Sequence, residues 1–363
     1  MKINKIYPFI LLLGLSLFLS ACSGSAMATN SWPGLTVDPA GETLYVANNT
    51  FVYALNLANG TEKWRHPSEA DNKVTFFAPP TIASDGQVIL PAYDSKLYSL
   101  NPETRAINWT FSEAKNRYIA SALILDDQVI AADSDNSLYS VSLSGQLQWT
   151  FETGHSLWAT PVSNGDLIYL PSMDHYIYAI RADNGELVWQ SEDLGGALVA
   201  QPVLGEDGLL YIGTFGSEVI ALDTQKQGQV VWRAPMNGWA WSSGLLKDGV
   251  LYVGSLGGSL YALDAATGVE KWKFAPTENQ KPAISGAPAI VGDTLYFVTE
   301  GGAMYALDWA NGGQKWSKQF EASFYPGPVV VDDTILLAPM GGDELVIALD
   351  VNGNQKWVFI PAK

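Results

Sequence analysis

From residue 251 onward, apolar side chains alternate with small or polar ones in a two-residue period. The stretch runs Leu251-Tyr-Val-Gly-Ser255, breaks at Gly257-Gly258, and resumes as Leu260-Tyr-Ala-Leu-Asp264. A turn through Thr267-Gly268 leads into Val269-Glu-Lys-Trp272. Such alternation places successive side chains on opposite faces of a strand, and the glycine-bearing breaks reverse the chain. Antiparallel hairpins follow. The same reading of residues 159–190 predicts four strands, at 159–163, 167–170, 176–180 and 187–190, running outward from an inner to an outer edge. Beyond the first 22 residues no helical period occurs, so the fold class is all-β.

The last residue of that pattern recurs. Trp64, Trp109, Trp149, Trp189, Trp232, Trp272, Trp316 and Trp357 follow one another at gaps of 45, 40, 40, 43, 40, 44 and 41 residues, the period of a four-stranded propeller blade. Gly60, Gly145, Gly185, Gly228, Gly268, Gly312 and Gly353 each stand four residues before their Trp, with Arg105 in the glycine's place in the second repeat. A glycine there permits a positive φ and leaves a bare surface on which an indole packs. About ten residues before each Trp is a small residue, Ala54, Ser99, Ser140, Ala179, Ala221, Ala262, Ala306 or Ala348, which makes room for the Trp across the turn. The eight tryptophans are therefore read as structural docking residues of an eight-bladed β-propeller over residues 31–363, with four-stranded antiparallel blades. Prolines 33, 80, 161, 202, 288 and 328 mark where inner strands begin, at an edge where a missing N–H is tolerated.

The string Ala-x-Asp-x-x-Thr-Gly-x-x-x-Trp, complete at Ala262 to Trp272, resembles the tryptophan-docking repeat of the pyrroloquinoline-quinone-like propellers. That superfamily includes the quinoprotein dehydrogenases and the BamB family of lipoprotein scaffolds for outer-membrane protein assembly. The resemblance implies the fold; a scaffold alone does not choose the activity.

Residues 1–21 read as a lipoprotein signal peptide: Lys2 and Lys5 precede an apolar run over 6–19, too short for a spanning helix. Leu19-Ser-Ala-Cys22 resembles a bacterial lipobox, which makes Cys22 the expected lipidation site and residues 22–30 a lipidated tether. Cys22 is the one cysteine, so the fold holds no internal disulfide. Loss of Lys2 and Lys5 with the leader takes the net charge from −17 to −19. A surface that acidic repels nucleic acid and anionic headgroups, so attachment to a membrane is expected through acyl chains. The expected location is the periplasmic side of an outer membrane if the source has one, otherwise the outer face of the cytoplasmic membrane.

Candidate chemistry gathers on one face. The loops from each outer strand to the next inner strand share a face with the loops between second and third strands, and aromatics collect there before the inner strands: Phe76, Phe77, Tyr118, Trp158, Trp239, Trp241, Phe324 and Tyr325. One reading is a contact surface at the mouth of the channel; the other is a set of wedges between blades. His66, His155 and His175 are expected on loops of this face, with Asp174 and Glu152 near the latter two, at spacings that match no zinc motif. Acidic turns such as Asp133-Ser-Asp135-Asn136 are common propeller punctuation. A quinoprotein dehydrogenase needs calcium ligands, a catalytic base and long insertions, and the repeats leave little room for them. The preferred reading is a monomeric, membrane-anchored, non-enzymatic scaffold for protein–protein contact in the cell envelope, with no cofactor, no metal and an envelope protein or polymer as partner. Outer-membrane protein assembly is the specific role the resemblance implies. The alternative is a small quinone-dependent oxidoreductase or quinone-binding protein using the same mouth.

Overall fold

The computed structural model describes residues 32–276 and 282–362; the expected leader, Cys22 and the expected tether lie outside the described residues. From residue 34 onward the chain forms eight four-stranded antiparallel sheets arranged as an eight-bladed propeller, each built from consecutive strands. Blade one consists of β1 (Gly34–Val37), β2 (Thr43–Asn48), β3 (Phe51–Asn56) and β4 (Glu62–His66), and blade eight of β29 (Val329–Val331), β30 (Thr334–Leu337), β31 (Val346–Asp350) and β32 (Gln355–Phe359). No sheet borrows a strand from another.

Blade four shows how sequence becomes strand. Its strands are β13 (Val162–Ser163), β14 (Leu167–Pro171), β15 (Ile177–Arg181) and β16 (Leu187–Gln190). Three coincide with the expected segments to within one residue. The inner strand is shorter, because Pro161 has no N–H and ladder pairing begins only after it. Pro33, Pro80, Pro202, Pro288 and Pro328 likewise stand one residue ahead of their inner strands.

In every blade the small residue lies directly opposite the Trp on the outer hairpin, Ala54 facing Trp64 and Ala179 facing Trp189, and a bulge follows at once. A buried small side chain there leaves the space under the indole open. In five blades a Tyr of the second strand fills it from the other side, with ring centroids 5.7–5.9 Å from the indole, as in Tyr169–Trp189. In blades two and three the small residue is Ser99 or Ser140, and its hydroxyl donates to Gln87, just ahead of the neighbouring strand, or to Gln128, which opens it.

The glycine each indole covers belongs to the following blade. A Cβ built on Gly145 would meet Trp109, on Gly185 would meet Trp149, and on Gly228 would meet Trp189; the pattern continues through Gly268, Gly312 and Gly353. Trp109, Trp149, Trp232 and Trp272 also donate their indole N–H to a carbonyl of the next blade's turn, at 2.7–3.2 Å. The docking is thus a stitch between blades. The core follows the same logic and divides into eight apolar clusters, each shared by two neighbours, such as Tyr169, Ala179 and Trp189 of blade four with Leu210, Ile212 and Leu222 of blade five.

The last stitch closes the ring. Trp357 covers Gly60 and donates to the Leu57 carbonyl at 3.0 Å, while Phe359 meets Tyr53 edge-on at 5.4 Å. Blade eight therefore joins blade one by the contact used at the internal seams, without exchange of a strand.

Candidate interaction face

The loops that carry the chain from one blade to the next act as straps. Phe76 donates its N–H to Asn49 of blade one, and Tyr93 of blade two donates to Thr75 in the same strap. The pattern repeats at Tyr118 to Ala92 and Ser134 to Arg117, and at Ala240 to Thr214 and Leu256 to Trp239. Six straps are pinned in this way to the second-to-third-strand loops on both sides, and the strap into blade eight pairs Ser323 with Met340, so this face is preorganised.

Every strap drives one apolar side chain inward. Phe76, Tyr118, Leu157, Leu198, Ala240, Ile284 and Phe324 are all buried between blades. The expectation of an exposed aromatic ring is therefore corrected for Tyr118 and Phe324, at 0% and 1% exposure: they are wedges. Phe77 is buried as well, stacked on Tyr93 at 4.0 Å and met edge-on by Trp32 at 5.2 Å. Trp239 and Tyr325 are exposed, and Trp158 and Trp241 are half-buried. Trp239 and Trp241 lie parallel to Phe215 at 4.5 and 5.7 Å, so three rings form a rigid stack over blades five and six. The Trp158 indole N–H is buried and meets no partner among the described residues.

Between these rings is a cavity of about 470 Å³ that gathers residues of blades one, two, six, seven and eight. Trp32, Trp241, Leu256, Tyr325, Pro79 and Pro326 give it apolar walls. Glu300 and the buried Ser242 hydroxyl, which has no hydrogen-bond partner among the described residues, supply its polar side chains together with Ser285. The Ser285 hydroxyl is already used, donating to the Tyr325 carbonyl at 3.1 Å. Sequence reading missed Trp32, Phe215 and Glu300. Trp32 sits beside the tether, and the other two lie on second-to-third-strand loops, where no pattern marked them.

The histidines do not converge on one chemistry. His66 ends β4, paired with Val52 in the ladder and not on a loop, and burial pushes its pKa down. His175 turns to Asp193 at 3.2 Å; the Gly195 N–H, followed by His175, holds that carboxyl below its ordinary range. Asp174 is occupied by the Gly154 N–H and the Tyr178 hydroxyl at 2.7 and 2.8 Å. The acidic turn in blade three has a structural use: Asp133, fully buried, caps its own turn by accepting from the N–H groups of Asp135 and Ser137 at 2.8 and 3.1 Å.

Solved structures with this architecture include the BamB protein of Moraxella catarrhalis, with 14% identity and a TM-score of 0.70 over 88% of this chain and 93% of that one. The computationally designed Ika8 protein superposes at a TM-score of 0.74 with 14% identity, over 90% and 98% of the two chains. Sqt1 of Saccharomyces cerevisiae gives 0.70 with 12% identity, over 93% and 97%. These likenesses concern the fold alone. A curated relative, the outer membrane protein assembly factor BamB of Moranella endobia (strain PCIT), is 27% identical over 213 residues, which are 54% of this chain; the chain spans about half the length of that relative, 52%. The family model described as outer membrane protein assembly factor BamB matches residues 19–170, 173–299 and 277–361. With the repeats matched nearly end to end, the chain belongs to the BamB family of propellers.

Proposed function

We propose that this chain is a non-enzymatic scaffold of the bacterial cell envelope that takes part in outer-membrane protein assembly, held to the membrane through acyl chains on Cys22. The observation that carries the reading is the family match across residues 19–361, since the relative from Moranella endobia bears that role in its name. The strapped face supports it: Trp239 and Trp241 are stacked on Phe215 yet accessible, so a partner buries them without first ordering them, and Tyr325 is exposed beside them on the same face. Leu19-Ser-Ala-Cys22 supports the anchor, and Ser23 after the cysteine fits sorting to an outer membrane.

The test is fractionation with affinity capture. The native chain should sediment with membranes, carry acyl mass on its N-terminal peptide, and recover envelope proteins after detergent extraction. Cys22→Ala should appear in the soluble fraction without that mass; membrane retention at unchanged mass overturns the anchor. Titration with pyrroloquinoline quinone and calcium should leave the absorption spectrum additive, whereas a stoichiometric bound quinone would overturn the scaffold reading.

A further inference from the structure

We propose that the cavity at the channel mouth binds an arginine side chain presented by an extended, apolar segment of a partner polypeptide. The inference rests on the mouth being the working surface and names what enters it.

The walls and the charge argue together. Trp32, Trp241 and Tyr325 line the cavity, and Leu256 extends the apolar lining. Among the described residues Glu300 is the only acidic one lining the cavity, and no cation or hydrogen-bond donor among them reaches its carboxylate. A carboxylate set in a mostly apolar, ring-lined cavity favours a cation that is itself weakly hydrated. A guanidinium meets that description: it is planar, stacks on aromatic faces, and donates to a carboxylate with two N–H groups at once. The volume, about 470 Å³, falls within the range for small-ligand sites and admits a side chain with part of its flanking backbone. The net charge of −17 draws cationic segments toward the molecule.

The probe is a fluorescein-labelled capped peptide, Phe-Arg-Leu, against the same peptide with citrulline, which keeps the shape and removes the charge. Binding to the purified full chain is read by anisotropy at low salt. The arginine peptide should bind about tenfold more tightly than the citrulline peptide, and Glu300→Gln should erase the difference while melting like the native chain. Equal affinities, or a preference that survives in Glu300→Gln, overturn the proposal. A Trp241→Ala, Tyr325→Ala double variant separates this from the reading beneath it. If that variant loses envelope capture while the two peptides bind alike, the mouth is the surface and the arginine site is wrong. If the arginine preference holds while the variant captures as before, the site is real and the mouth is not where envelope partners dock.

Discussion

Two residues carry a local cost that the fold tolerates. Arg105 adopts φ +64°, the left-handed conformation that glycine supplies in the seven other turns. A side chain there costs on the order of 1 kcal/mol, partly offset by the freedom a glycine loses on folding. Arg105→Gly is therefore expected to match the native chain or gain up to about 1 kcal/mol in denaturant unfolding; a loss of that size would mean that Arg105 makes a contact outweighing its backbone strain. Asp133, a fully buried carboxyl, is the second. Burial raises its pKa, against the opposing hydrogen bonds from Ser137 and Asp135. A carboxyl with a folded pKa above its ordinary 3.8 takes up protons more readily in the folded chain, so stability falls as pH rises from about 4 through the raised value, and the penalty persists above it. Asparagine keeps the acceptor oxygen and removes the charge. Melting of Asp133→Asn should equal or exceed that of the native chain at neutral pH, with the gap closing as pH is lowered through the acid range.

At the level of the element, the seam decides stability. Trp189 is 7% exposed, faces Ala179, touches Tyr169 and covers Gly228 of the next blade. Trp189→Ala should cost about 3–5 kcal/mol, and hydrogen exchange should locate the loss in blades four and five together; protection lost from blade four alone would contradict the stitch. This partner was hidden in the sequence for a definite reason. Each turn glycine from Gly145 on stands four residues before its own Trp and 36–40 residues after the Trp of the preceding blade, and the tighter spacing is the one that does not mark the contact, so spacing cannot say which glycine an indole covers. The strands themselves were legible, because alternation reports directly on two-faced burial. The straps were not, because an irregular segment has no period to show which way a side chain points: adjacent Phe324 and Tyr325 are 1% and 40% exposed. Half of the aromatic mouth was thus readable as aromatic without being readable as accessible.

For the molecule as a whole, an apolar cluster at each of the eight seams explains how a chain with a single cysteine holds together without an internal crosslink. The acidic surface and the mouth were separable in the sequence only as charge and composition; Trp32 and Glu300 come from opposite ends of the chain and meet only because the ring closes. Closure by contact alone also means that the gap between β32 and β1 is an arbitrary place to cut. A permuted chain, opened within the strap at residues 112–122 and joined from the end of β32 to the start of β1 by a linker as long as that strap, should fold and keep its mouth, because each of its blades stays whole. Failure of that permutant while a strap-lengthened control folds would show that the order of synthesis matters. Its success would identify the blade as the unit of inheritance, free to be copied or dropped without redesign of what remains.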